Sequence, residues 1–144
     1  MASAGRCCRW AATRIGVRKE KIVGERTNRE MADDVAKVAA TYFAAWKAND
    51  FDTMRSLLTD DVTFSGPLAS LEGAEEYMKG IEGMSRITSE IAVQKVFVDG
   101  PDVLTWYDLH TTVAPPVPVA NWLHIEDGKI TSLRVVFDPR GLAP

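Results

Sequence analysis

The chain reads as a single α+β domain, with three N-terminal helices packed on one face of a curved antiparallel sheet. Three observations predict it. Apolar residues recur at helical spacing early in the chain, alternating β-rich runs fill the second half, and turn signals separate those runs. At 144 residues the chain suits one domain with a real core.

Val35, Val38, Ala39, Tyr42, Phe43 and Trp46 lie on one broad face of a helix over residues 35–46, with Asp33 or Asp34 as its cap. Asn49-Asp50 ends it and starts a shorter helix that turns Phe51, Met54, Leu57 and Leu58 inward. Asp60-Asp61 stops the second helix, and Val62-Thr63-Phe64 is a short strand before the Ser65-Gly66-Pro67 turn. A third helix over residues 72–84 buries Ala74, Tyr77, Met78, Ile81 and Met84. Four strands follow, over 87–98, 103–113, 117–126 and 129–137. Asp127-Gly128 is the strongest hairpin signal between them.

Charge divides the chain. Residues 1–30 hold eight Lys/Arg against three Glu, and the remainder is acidic, for a net charge of −3. An acidic body is a poor nucleic-acid surface. The basic arm is expected to be a disordered extension, with Met31 opening a domain over residues 31–144. No apolar run of about 18 residues predicts a membrane span. Cys7 and Cys8 are neighbours without other cysteines, so neither a disulfide framework nor zinc spacing is present, which fits a cytoplasmic protein. There is no phosphate-binding Gly-rich loop and no Ser-His-Asp order, so neither cofactor nor metal is expected.

One run stands apart from ordinary core building. Thr105-Trp-Tyr-Asp-Leu-His-Thr-Thr112 places Trp106, Asp108 and His110 on one face of a strand and Thr105, Tyr107 and Leu109 on the other. An acid and a base beside a tryptophan are the groups that a small polar site in an apolar pocket needs. Asp108 is read there either as a proton carrier, its pKa raised by burial among Trp106, Trp122 and Tyr42, or as a carboxylate satisfied by a neighbouring donor or exposed at a sheet edge. Tyr107, Leu109 and Leu123 are then expected on the open face of the sheet, where a second copy would cover them.

The stretch Tyr42-Phe-Ala-Ala-Trp-Lys-Ala-Asn-Asp-Phe-Asp-Thr-Met-Arg-Ser-Leu-Leu-Thr-Asp-Asp-Val-Thr-Phe64 resembles the opening of nuclear transport factor 2-like, or SnoaL-like, domains. Asp127-Gly-Lys-Ile-Thr-Ser-Leu-Arg-Val-Val-Phe-Asp138 resembles their ending. The resemblance covers about residues 33–140 and implies a cone-shaped, cystatin-like roll. The scaffold serves enzymes, ligand carriers and assembly modules alike. Against ketosteroid isomerases, Tyr42 matches a first-helix tyrosine, while Gly66 and Ala120 stand where two aspartates belong. Against limonene-epoxide hydrolases, Asp108 falls on the acid position, and Trp106, Val135, Phe64 and Gly66 replace the other four groups. SnoaL-type polyketide cyclases, which use an aspartate projecting from the sheet into an apolar pocket, are the nearest parallel.

Two functional readings follow. In one, the cone binds a small, largely apolar molecule of steroid, polyketide or terpenoid type and performs cofactor-free isomerisation, cyclisation or hydration. Asp108, His110 and Tyr42 are then the catalytic candidates. Trp46, Phe64, Trp106, Trp122, His124, Leu133, Val135 and Phe137 are the candidate pocket wall, with Arg134 pointing away. In the other, the same cone is a non-catalytic ligand-binding or dimerisation module. Either reading expects a homodimer without nucleic-acid or membrane partners.

Overall fold

The computed structural model describes residues 28–142, and the expected basic arm lies outside the described residues up to position 27. Helix α1 (Asn28–Lys47) starts well before the expected cap, so Asp33 and Asp34 are helical residues rather than its N-terminus. Its predicted face is the one that faces the core: Ala39, Tyr42, Phe43 and Trp46 are buried, and Val35 and Val38 pack at the edge. Asn49, at φ 57°, closes the helix in the left-handed conformation that asparagine tolerates. The next residue caps α2 (Phe51–Ser56): Asp50 Oδ1 accepts from the Thr53 backbone N–H at 3.2 Å.

Strand β1 (Leu58–Ser65) is longer than expected and absorbs Asp60 and Asp61, which point outward while Leu58 and Val62 are buried. A short β2 (Ser70–Glu72) that the sequence did not reveal pairs back onto it. Helix α3 (Ala74–Ser85) then leads into the meander β3 (Thr88–Asp99), β4 (Asp102–Thr111), β5 (Val117–Glu126) and β6 (Lys129–Val136). Asp127 and Gly128 both take positive φ, as a two-residue hairpin turn of type I′ requires.

The six strands form one sheet in the order β2-β1-β6-β5-β4-β3. Contrary to expectation it is not wholly antiparallel, because β1 runs parallel to β6, with Phe64 opposite Leu133. This pairing joins strands separated by most of the domain, and no local signal announces it. The helices cover one face, and the core lies between that face and α1–α3.

The side of the sheet that β4 and β5 turn to the helices is the reverse of the expected one. Val103, Thr105, Tyr107 and Leu109 are buried on the inner face, as are Val119, Asn121, Leu123 and Ile125. Trp106, Asp108 and His110, with Ala120, Trp122 and His124, therefore point away from the helices. Tyr107, Leu109 and Leu123 are core residues and not the open face.

Gly83 sits in the last turn of α3, and a Cβ added there would meet nothing within 4 Å. Gly83→Ala is expected to raise the unfolding free energy by about 0.5 kcal/mol, since glycine's backbone entropy is lost without any steric return. Urea denaturation measures this, and a lowered midpoint would refute it.

Candidate functional site

A cavity of about 160 Å³ lies between the inner face of the sheet and helices α1 and α3. Tyr42 and Trp46 reach it from α1, Tyr77, Ile81 and Met84 from α3, and Tyr107, Leu109, Val119, Asn121 and Val135 from the sheet. Phe64 and Phe137 complete the wall. Its exposed lining residues, Pro67, Leu68, Ala69 and Gly80, make the mouth. Gly66 belongs to the turn beneath them, where a Cβ would come within 2.8 Å of Phe64 Cζ, so a side chain there would have to push that ring aside.

Among the described residues, eighteen line the cavity and none of them is charged or a histidine. The polar groups are three phenols and one amide. Tyr42 and Tyr77 share a buried hydroxyl–hydroxyl hydrogen bond that ties α1 to α3. Tyr107 stands edge-on to Phe43 and Trp46, with ring centroids 5.4 and 6.0 Å apart. Trp46 Nε1 donates to Ser85 Oγ at 3.1 Å, which fixes the indole at the cavity edge. Burial pushes the pKa of all three tyrosines above its ordinary value, because a phenolate there would be stripped of water. For Tyr107 the Asn121 side chain pulls the other way, without cancelling the effect of burial.

Five of the residues expected at a pocket are brought together here: Tyr42, Trp46, Phe64, Val135 and Phe137. Leu133 is buried in the core beside them. The others are not. Trp106 and Trp122 are 44% and 41% exposed on the outer face, and Arg134 lies over the Trp122 ring at 5.3 Å. Asp108 accepts a hydrogen bond of 3.4 Å from Gln94 Nε2, also on the outer face, and His110 stands opposite Glu90. His124 does not join them. It pairs through Nδ1 with Asp102 Oδ1 at 2.7 Å, about 20 Å along β4 from Asp108 at strand rise. Trp122 Nε1 donates to the same Asp102 oxygen at 2.9 Å. Burial works against the Asp102 carboxylate, but these two donors outweigh it and hold its pKa below the ordinary value.

The physical reason for the correction is desolvation. Turning Trp106 inward would also turn Asp102, Asp108 and His110 inward, and charges without partners are expelled from such a site. Tyr77, Tyr107 and Asn121 were missed as site residues. The available signal was the run Val119-Ala-Asn-Trp-Leu123, in which Asn121 shares the phase of two aliphatic residues.

A family model of the SnoaL-like domain matches residues 39–133. Among solved structures, a protein from Kribbella flavida is 34% identical over 72% of this chain and 85% of its own, with a TM-score of 0.68. An NTF2-like protein of unknown function from Cytophaga hutchinsonii is 31% identical over 87% of this chain and 98% of its own, with a TM-score of 0.67. An LEH-like epoxide hydrolase from M. tuberculosis is 22% identical over 77% of this chain and 87% of its own, at a TM-score of 0.66, a likeness of fold. No curated protein matches the chain.

The chain contains three tyrosines and all three line the cavity, so phenol absorbance reports on this site alone. Each folded-state pKa lies above the unfolded value of 10.0, so stability is complete below about pH 10 and falls as pH rises beyond it. Titration at 295 nm is expected to show no phenolate in the native chain at pH 10, and then a cooperative rise coincident with unfolding. A non-cooperative rise in the folded state near pH 10 would show the phenols to be solvated.

Proposed function

The chain belongs to the SnoaL-like domain family, and from that premise we propose that it binds a small, uncharged, largely apolar molecule in the cavity beneath the sheet. The observation that carries this reading is that, among the described residues, no charged side chain lines the cavity, whose wall is aromatic and aliphatic with four neutral polar groups. An ionic ligand would have to leave water with nothing to pair with. The volume of about 160 Å³ matches one ring, being close to the ~150 Å³ apolar cavity known to accept benzene. A four-ring steroid is too large for it. Tyr42 and Tyr77 use one phenolic proton between themselves, which leaves the other as a donor to a bound oxygen. Asp108 and His110 stand on the opposite side of the sheet, so proton transfer by them at this cavity has no geometric support. The non-catalytic binding reading is the one the arrangement favours.

We propose further that the outer sheet face is covered by a second copy of the chain. Leu104, Trp106, Trp122, Phe97 and Val136 form its exposed apolar centre. Asp102, His124 and Glu126 lie towards one end and Asp108 and His110 towards the other, a polar rim about an apolar core. One face meeting itself about a two-fold axis would bury both tryptophans of each copy.

Toluene is expected to raise the melting temperature in a saturable, concentration-dependent way. Val119→Phe, which fills the cavity from β5, should abolish that shift, while Asp108→Asn should preserve it. Loss of the shift in Asp108→Asn, or equal shifts with toluene and a four-ring steroid, would overturn the assignment. Sedimentation equilibrium is expected to give a dimer, and Trp106→Glu a folded monomer. A wild-type chain that remains monomeric at every concentration would refute the interface.

A further inference from the structure

The cavity opens where helix α3 passes the tip of the β1–β2 hairpin. Ser65 pairs with Ser70, so residues 66–69 form the tip, and the Gly66 N–H donates to the Ala69 carbonyl across it at 2.9 Å. Among the described lining residues, those left exposed are Pro67, Leu68 and Ala69 on the tip and Gly80 on α3. All four are apolar, and Leu68 is 44% exposed. Gly80 lies inside α3, where glycine weakens a helix, and a Cβ there would stand 3.3 Å from Leu71 Cδ1 and crowd the mouth. Glu76 and Lys79, on the same helix, pair with each other at 3.3 Å and do not line the cavity. The mouth is thus an apolar collar and not a polar rim.

Resting on the reading of this cavity as a ligand site, we propose that its ligand is a single ring bearing a short apolar chain. The ring sits among the three tyrosines, and the chain leaves between Leu68 and Gly80. One ring takes up the volume of about 160 Å³, so the rest of a longer ligand lies against the exposed lining residues. A polar substituent there would keep its water and gain nothing from an apolar collar. An apolar chain gains, because it and the Leu68 side chain shield each other from water. The collar is therefore the feature that favours an alkyl-substituted ring over the bare ring or one with a polar tail.

The test is isothermal titration calorimetry on the full chain with toluene, ethylbenzene, propylbenzene and butylbenzene. Each added methylene is expected to tighten binding about twofold, half the free energy of burying it completely, because the collar covers the chain on one side. Phenylpropanol, as long as butylbenzene but ending in a hydroxyl, should bind more weakly than butylbenzene. In Leu68→Asp the gain per methylene should be largely lost. The series on the unaltered chain decides the matter even if that variant does not fold. Affinity that stays level or falls from toluene to butylbenzene, phenylpropanol binding as tightly as butylbenzene, or a full gain in Leu68→Asp would overturn the chain assignment and leave the cavity as a ligand site. Binding of no member of the series would overturn both.

Discussion

Among the described residues, helices cover one face of the sheet, so every strand must offer that face a row of side chains that survives desolvation. On β4 the choice lies between Val103, Thr105, Tyr107 and Leu109 on one side and Asp102, Leu104, Trp106, Asp108 and His110 on the other. The first row hides one hydroxyl and one phenol. The second would hide two carboxylates and an imidazole, each costing several kcal/mol even after relaxation. Burying the Trp106 ring returns no more than about 3 kcal/mol. The charges therefore decide the phase of β4, and pairing carries it across the sheet: Val103 sets Leu123, and Leu123 sets Leu133.

That one choice sorts the chemistry of the whole domain. Both histidines and the β4 carboxylates stand on the outer face, where water or a partner's rim can satisfy them. Asp102, His124 and Trp122 form a small hydrogen-bonded group there, and Arg134 covers the Trp122 ring. The polar groups left on the inner face are neutral ones whose protonated state burial favours. The lack of charge among the described lining residues is thus a consequence of strand phase.

Features governed by neighbours in the chain were legible in the sequence. The apolar face of α1, the Asp127-Gly128 turn and the inward set of β6 with Val135 and Phe137 need only a period or a turn rule. The parallel contact of β1 with β6 and the three-residue β2 depend on distant partners and left no local mark. The candidate site failed for a different reason. Asp108 and His110 were singled out because polarity in a strand is unusual, yet polarity there equally marks the face turned to water. The cost of burying Asp102 together with them was the deciding quantity, and it was calculable from the alternation of residues 102–110.

A cavity beside aliphatic side chains ordinarily collapses, because flexible groups move in to recover lost contacts. Here the frame resists collapse. The Tyr42–Tyr77 bond braces α1 against α3, Trp46 is held by Ser85, and Phe43, Trp46 and Tyr107 lock edge to face. These are rigid rings with few torsions, so they cannot flow into the gap as leucine or methionine would. A molecule of matching shape gains contacts with this frame without disturbing it, so little of its binding energy goes into reorganising the protein.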